Sequence, residues 1–263
     1  VTPKTCGVNH HEEGIGLIVL MGGNDAVFEN VAAILWDKDG TLADSHRFLR
    51  ALVQVRAQAV AQGLPGVEAA LMAAFGCGGD RYDPAGLMAV GTRYDNEIAA
   101  AAYLAATGLS WPEAMQRVQA AFAESDRHFA RKADFTPPFD GLAALLQRCQ
   151  RQGFQMAVLS GDTTANIQDF LTRYHLIDYF AWWAGSEAPP VKPDPQLVWT
   201  ACEKLGVQPE NCLVIGDSDL DRQLAVNSGC RGFISVTWGG SSAIAGATWV
   251  IDQVSQFPTG CNG

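Results

Sequence analysis

The sequence predicts an α/β protein in which a mainly parallel sheet is interrupted by an all-helical insert. Short apolar runs alternate with helical patterns, and each run ends in a polar turn. The stretch after the first run contains no convincing strand. With 263 residues, 48% of them apolar, the chain is long enough for one large domain or for one domain with an insert. Strands that alternate with helices favour a parallel sheet covered on both faces.

The first predicted strand is the apolar run 32–36, which ends at the polar residues 37–40. Residues 1–30 before it are an N-terminal extension of unknown role. Within them, residues 14–21 fit an extra edge strand, but the polar stretch 22–25 interrupts it. A flexible extension, or a start site placed too early, fits equally well, and the sequence leaves these alternatives open.

Residues 44–134 predict the helical insert. Asp44 and Ser45 can cap a helix, and Ser110 and Glu113 have the spacing of a capping box. Apolar residues follow each start at helical spacing, namely Phe48, Leu52, Val55 and Ala59, and then Met115, Val118 and Phe122. The glycine-rich stretch 76–82 lacks the Lys-Ser/Thr pair of a nucleotide-binding loop, so it is either a turn between helices or a loop that sets substrate specificity.

The chain returns to the sheet after Pro137 and Pro138, so the core is predicted over residues 31–43 and 135–263. Asp140 can cap a helix that ends at Gly153, and Asp194 followed by Pro195 begins another that ends at Gly206. The remaining strand candidates are the apolar runs 154–159, 212–215 and 232–236.

Four polar clusters lie at or near the ends of these strands. They are 37–42 (DKDGTL), 160–162 (SGD), 192–194 (KPD) and 216–221 (GDSDLD). Parallel α/β sheets bind their ligands beyond the carboxyl ends of the strands, so we expect the clusters to share one site. Each cluster is a weak signal alone, but the set in this order is specific.

In these clusters the chain resembles the haloacid dehalogenase (HAD) superfamily. The first matches its DxDGT signature, the second its Ser/Thr motif, the third its Lys motif and the fourth its GDxxxD motif. The resemblance implies a HAD-type Rossmann-like core in which the insert is a mobile helical cap domain. It also implies the branch that includes phosphoglycolate phosphatases.

The resemblance implies a role for each cluster. Asp37 would be the nucleophile, Asp39 the general acid and base, and Lys192 the cation that neutralises the nucleophile and the phosphoryl group. The substrate-binding residues would be Thr41, Ser160, Gly161 and Lys192. The ligands of a Mg²⁺ cofactor would be Asp37, Asp217, Asp221 and the backbone carbonyl of Asp39.

The sum of the charges at the predicted site independently supports a bound metal ion. The four aspartates bring up to four negative charges and Lys192 returns one positive charge, before a phosphate dianion arrives. Like charges within about 4 Å in a partly dry site would cost on the order of several kcal/mol. A hard divalent cation with oxygen ligands removes this conflict.

Two residues depart from the family pattern. Lys38 stands where an apolar residue is more usual, and we expect its side chain to point away from the site, into the polar margin of the sheet. Asp162 follows the Ser160-Gly161 pair, and its carboxylate would repel phosphate if it pointed inward.

The function predicted from these residues is a Mg²⁺-dependent phosphatase that hydrolyses a small phosphorylated metabolite, phosphoglycolate-like or a sugar phosphate. The enzymatic alternative is a sugar phosphomutase, although by the resemblance mutases usually carry a small apolar residue in place of Thr41. The other alternative is a non-catalytic partner-binding protein, which would usually have lost Asp37 or Asp39.

The composition restricts the partners. Lys and Arg total 18 against 28 Asp and Glu, a formal charge of −10, which argues against nucleic acid or an anionic membrane surface. No apolar run approaches the roughly 20 residues of a membrane-spanning helix. Seven unpatterned cysteines fit a reducing cytosol, so a cytoplasmic monomer or homodimer is expected.

Overall fold

A computed structural model gives the structure of the protein and describes residues 18–21, 27–78, 81–83 and 86–257. The chain divides into two compact units. The core unit comprises the described residues within 1–43 and 138–263, and the helical unit is Asp44–Pro137. Among the described residues, none of the helices has the length and apolar character needed to cross a bilayer.

Strands and helices alternate through most of the core unit. In chain order the elements of both units are β1 (Ile18–Met21), β2 (Val27–Val31), β3 (Ala33–Trp36), α1 (His46–Ala61), α2 (Val67–Ala74), β4 (Cys77–Gly78), β5 (Arg81–Tyr82), α3 (Leu87–Val90), α4 (Arg93–Ala105), α5 (Trp111–His128), α6 (Leu142–Arg151), β6 (Gln155–Leu159), α7 (Thr164–Arg173), β7 (Trp182–Ala184), α8 (Gln196–Leu205), β8 (Cys212–Gly216), α9 (Asp219–Ser228), β9 (Gly232–Val236) and β10 (Trp249–Ile251).

The core unit is built on a six-stranded sheet in the order β10-β9-β8-β3-β6-β7. Every neighbouring pair is parallel. In the register of the central strands, Trp36 lies beside Val158 on one side and Ile215 on the other. The carboxyl ends of β3, β6 and β8 therefore meet at one edge, and the α/β class with a parallel sheet is confirmed.

The central strand β3 is buried along its whole length. Ala33 and Leu35 pack in a cluster with apolar residues of α8 and α9. On the opposite face Ile34 and Trp36 are also fully buried, and the Trp36 ring lies 5.6 Å from that of Phe257. Burial on both faces explains why this strand is a continuous apolar run instead of an alternating pattern.

Several strands differ from the sequence predictions. The short strands β7 and β10 at the two edges of the sheet were not predicted. Strand β1 lies within the stretch 14–21, but it pairs with β2 in a separate antiparallel sheet and is not an edge strand of the main one. The rest of that stretch lies outside the described residues.

The helices begin close to the predicted caps. Helix α6 begins one residue later than Asp140 predicts, because Gly141 is its N-cap. Helix α8 has Pro195 at the cap position, while the Asp194 carboxylate accepts the Gln196 N–H at 2.9 Å and so performs the predicted capping. The capping box of Ser110 and Glu113 at α5 is confirmed.

The helical unit packs α1, α2, α4 and α5 around one apolar cluster that includes Val53, Leu104 and Phe122. It also contains one small pair of strands, since β4 and β5 are antiparallel partners within the glycine-rich stretch 76–82. The Asp83 N–H donates to the Gly76 carbonyl at 2.8 Å beside this pair. The described residues of this stretch, 76–78 and 81–82, therefore include a pair of short strands, which a simple turn between helices would not contain.

Candidate active site

The chain turns sharply where β3 ends, and this turn presents Asp37. The Asp37 N–H still donates to the Ile215 carbonyl of β8 at 2.8 Å, so its backbone continues the sheet. The Lys38 carbonyl then accepts the N–H groups of residues 41–43. Gly40 has a φ of 85°, and a Cβ there would overlap the Asp217 carboxylate. Glycine at this position thus allows the loop to lie against Asp217.

Three carboxylates meet at this edge of the sheet. Asp37, Asp217 and Asp221 each offer an oxygen within 4.8 Å of the others. Asp217 directly follows β8, and Asp221 lies in the first turn of α9, where it forms a capping box with the N-cap residue Ser218. A Cβ on Gly216 would overlap Asp221, so this glycine permits the close approach.

Lys192 is the cation of this cluster. Its Nζ donates to Asp37 Oδ1 at 2.6 Å and to Asp221 Oδ1 at 2.5 Å, and its side chain is 8% exposed. The other oxygen of Asp221 accepts from the Ser218 hydroxyl at 2.6 Å. Asp221 therefore has a structural role at the helix start as well as a place in the cluster.

The charges of this cluster do not balance. Burial raises the pKa of Asp37 to about 7; Lys192 opposes the shift and Asp221 adds to it. Burial and the charges of Asp37 and Asp221 raise the pKa of Asp217 well above its ordinary value. Burial lowers the pKa of Lys192, but the two carboxylates beside it more than compensate and raise it. The cluster of three carboxylates and one ammonium therefore has an excess of negative charge.

The donor set fits a hard divalent cation. Carboxylate oxygens are the ligands that Mg²⁺ prefers in proteins, and three of them converge here from different elements. The Ser241 hydroxyl donates to Asp217 Oδ2 at 2.6 Å and so orients that carboxylate. A cation held by Asp37, Asp217 and Asp221 would offset the surplus negative charge.

The carboxylate of Asp39 lies outside this cluster and pairs with Lys38. Lys38 Nζ lies 2.7 Å from Asp39 Oδ1 and 2.9 Å from Asp162 Oδ2, and the Lys38 side chain is 1% exposed. The expectation that Lys38 points away from the site into a polar margin is therefore wrong. The Lys38 ammonium also explains how an acid is accommodated at position 162, since the Asp162 carboxylate is paired with a cation.

The predicted substrate-binding residues occupy the same edge. Ser160 follows β6, the strand next to β3, and its hydroxyl accepts the Asp162 N–H at 3.1 Å. Gly161 is exposed, with open space where a side chain would stand. The Thr41 hydroxyl is buried and has no hydrogen-bond partner among the described residues.

Two further residues reach the site from the loop after β9. Trp238 donates its indole N–H to the Thr41 carbonyl at 2.9 Å, and Ser241 holds Asp217 as described. The sequence analysis missed both because neither belongs to a spaced motif. The strand 232–236 was predicted, however, and the rule that ligands bind beyond strand ends would have pointed to the residues that follow it.

The fold and these strand-end aspartates together define the class of protein. A family model described as haloacid dehalogenase-like hydrolase matches residues 31–229, which is most of the chain. The chain belongs to the haloacid dehalogenase-like hydrolase family, and the predicted membership is confirmed.

Within that family the chain is similar to phosphoglycolate phosphatases. It is 35% identical to the phosphoglycolate phosphatase of Thiobacillus denitrificans over 115 residues, which are 43% of this chain and 51% of the relative. It is 27% identical to phosphoglycolate phosphatase 1 of Pseudomonas aeruginosa over 205 residues, 75% of this chain and 66% of the relative. The chain thus spans about half to two thirds of the length of these curated relatives.

A solved structure shares the fold at lower identity. The crystal structure of a predicted phosphoglycolate phosphatase from Haemophilus somnus has a TM-score of 0.66 and 21% identity, and the match covers 86% of this chain and 95% of that one. At this identity the likeness supports the fold alone.

Proposed function

We propose that the protein is a Mg²⁺-dependent phosphatase that hydrolyses a small phosphorylated metabolite through an aspartyl-phosphate on Asp37. The observation that carries the proposal is the cluster of buried Asp37 and Asp221 with half-buried Asp217 and with Lys192 as its cation. Family membership and the similarity to phosphoglycolate phosphatases support it.

The reaction needs a nucleophile that is held in place. An Asp37 oxygen attacks phosphorus, a bond forms between that oxygen and phosphorus, and the ester bond to the leaving oxygen breaks. Lys192, bonded to Asp37, fixes the carboxylate and offsets negative charge as the phosphoryl group approaches. When bound, Mg²⁺ neutralises the charge that the carboxylates and the phosphate bring together.

Asp39 is proposed to move the protons. It gives a proton to the leaving oxygen in the first step, so that a neutral alcohol departs. In the second step it takes a proton from a water molecule, whose oxygen attacks phosphorus while the Asp37–phosphorus bond breaks. Free phosphate is released, and both aspartates return to their starting states.

The substrate class is proposed from the relatives. Phosphoglycolate is the first candidate because the similar curated proteins carry its name, and sugar phosphates are the second. Thr41, Ser160 and Gly161 are proposed to bind the phosphate oxygens. From its place directly after the first core strand, the insert 44–134 is proposed to be the cap domain. The cytoplasmic location and the monomer or homodimer stay predictions.

Phosphate release tests the proposal. The purified protein is incubated with p-nitrophenyl phosphate, phosphoglycolate and a panel of sugar phosphates, with Mg²⁺ or with EDTA. We expect phosphate to be released with Mg²⁺, and neither EDTA-treated protein nor Asp37→Asn to turn over. Activity that survives EDTA or the Asp37 substitution would contradict the mechanism. Isomerisation of a sugar phosphate without release of phosphate would favour a mutase, and inactivity on the whole panel a binding protein.

A further inference from the structure

We propose that Lys38 and Asp162 form a positioning pair that fixes the Asp39 carboxylate for proton transfer to the leaving oxygen. The inference rests on the proposed function and deepens it, because it concerns how one step is set up. It also gives a common reason for the two residues that depart from the family pattern.

The contacts form a chain that runs from the interior to the site. The Lys38 ammonium lies 2.7 Å from Asp39 Oδ1, 2.9 Å from Asp162 Oδ2 and 5.5 Å from the centre of the Phe170 ring. The side chains of Lys38 and Asp162 are 1% and 8% exposed, whereas that of Asp39 is 24% exposed. Of the three side chains in this series of contacts, Asp39 is therefore the one that a substrate can reach.

Asp162 is a rigid anchor for this chain of contacts. Its Oδ1 accepts the Thr163 N–H at 2.9 Å and the Asn166 side-chain amide at 2.8 Å. Its own N–H donates to the Ser160 hydroxyl at 3.1 Å. Asp162 is thus fixed at the start of α7, and through Lys38 it ties the loop after β3 to the loop after β6.

Stability alone is a weak reason for this arrangement. Burying an ammonium and a carboxylate has a desolvation cost that can equal or exceed the attraction between them. An apolar residue at position 38 would fill the same volume without the cost. The pair instead fixes orientation: Lys38 holds Asp39 Oδ1 and so sets the position of the carboxylate that exchanges a proton with the leaving group.

Orientation matters most for leaving groups that must receive a proton. An alkoxide is a poor leaving group, so an alkyl phosphate depends on a well-placed acid, whereas p-nitrophenolate departs without a proton. The value of kcat/KM reports the steps up to departure of the leaving group. The ratio of kcat/KM for the two kinds of ester therefore isolates the contribution of Asp39 from general damage to the site.

The test compares two substrates in four proteins. We measure kcat/KM for p-nitrophenyl phosphate and for an alkyl ester, phosphoglycolate or glycerol 2-phosphate, together with melting temperature. The proteins are the wild type, Lys38→Met, the double variant Lys38→Met with Asp162→Asn, and Asp39→Asn as the benchmark. For Lys38→Met we expect a loss of about 100-fold on the alkyl ester and of only about threefold on p-nitrophenyl phosphate.

The double variant separates positioning from stability. It removes both charges, so we expect its melting temperature to lie closer to that of the wild type than that of Lys38→Met does. The selective loss on the alkyl ester persists, because Asp39 still lacks the ammonium that fixes its orientation. A purely structural pair predicts instead that the double variant regains activity on both esters, and that result would overturn the proposal.

A buried cation in the helical unit provides the matched control. Arg56 pairs with Asp126, and Arg56→Met is expected to lower the melting temperature without changing the ratio of kcat/KM between the two esters. Equal losses on both esters in Lys38→Met, with Asp37→Asn inactive, would overturn the positioning role and leave the proposed function intact. A wild type that hydrolyses neither ester would overturn both.

Discussion

Each unit contains a cluster of charged side chains, and the two clusters differ in their balance of positive and negative charge. The difference distinguishes a cluster that stabilises the fold from one that can bind a ligand. In the helical unit Arg56 and Arg93 meet Asp126 and Glu97, so two cations face two anions. The Arg56 guanidinium also lies 4.3 Å from the centre of the Phe122 ring. Each charge of this cluster has an opposite charge beside it, and the cluster holds α1, α4 and α5 together.

In the core unit three carboxylates form a cluster with one ammonium, which binds two of them. Asp37 and Asp221 both accept from Lys192, while Asp217 accepts from the uncharged Ser241 hydroxyl. The raised pKa values of Asp37 and Asp217 have burial as their main cause, with like charges adding to it. Charge imbalance therefore distinguishes this candidate ligand site from the structural cluster of the helical unit.

The largest expected effect comes from the nucleophile. Asp37→Asn removes the proposed attacking oxygen, and turnover should fall by roughly 10⁴-fold or more, as measured by phosphate release. Asp219→Asn is the control, because Asp219 is exposed and bonds to Arg222 and Gln223 outside the cluster. If Asp37→Asn kept activity near that of Asp219→Asn, the carboxylate cluster of the core unit would not be the catalytic site.

A substitution in the charged cluster of the helical unit should lower the free energy of unfolding. Arg56→Met leaves Asp126 with Arg93 as a partner and loses the contact with Phe122, so the free energy of unfolding should fall by about 2 kcal/mol in a denaturant titration. The matched control is Arg127→Met, whose exposed pair with Glu124 should contribute less than about 0.5 kcal/mol. Equal losses in the two variants would show that the charged cluster of the helical unit is not a stabilising one.

Ser241→Ala tests whether the carboxylates of the core unit are arranged for a cation. Without the hydroxyl that orients Asp217, the Mg²⁺ concentration for half-maximal activity should rise by about tenfold. Ser255→Ala, a change at an exposed serine of the same unit, should leave that concentration where it is. An unchanged Mg²⁺ requirement in Ser241→Ala would mean that Asp217 does not depend on this bond.

The smallest effect concerns pH in the absence of metal. The folded protein raises the pKa of Asp37 from 3.8 to about 7, so between these pH values it holds a proton that the unfolded chain releases. Ionising Asp37 therefore costs stability as pH rises. Asp37→Asn avoids this cost, and from pH 4 to pH 7 it should gain at least about 1 kcal/mol relative to wild type in denaturation with EDTA.

The same denaturation series on Asp219→Asn should show no such gain, because its bonds to Arg222 and Gln223 lower the pKa of Asp219. A constant stability difference between Asp37→Asn and wild type across this pH range would contradict the raised pKa.

The sequence was informative about the parts of the fold that have a strong local signal. The buried run that forms β6 and the capping box at the start of α5 were predicted from their residues. The edge strands β7 and β10 were missed because three residues give no periodicity. The pairing of β4 with β5 was missed for the same reason.

Contacts that depend on tertiary structure could not be predicted from the sequence. The meeting of Lys38 with Asp162 follows from the pairing of β3 with β6, which brings together the loops that follow the two strands. Ser241 reaches Asp217 from a loop that carries no motif. In both cases the residue types are common, and only the register of the sheet and the path of a loop give them a partner.

The central claim is that Asp37 receives the phosphoryl group, and chemical trapping tests it most directly. The enzyme is mixed with substrate and Mg²⁺, quenched in acid and reduced with borohydride, which converts a phosphorylated aspartate to homoserine, and the peptides are mapped by mass spectrometry. We predict homoserine at position 37 in the wild type and none in protein quenched without substrate. Phosphate release with no modified residue, or with the modification at Asp39, would contradict the claim.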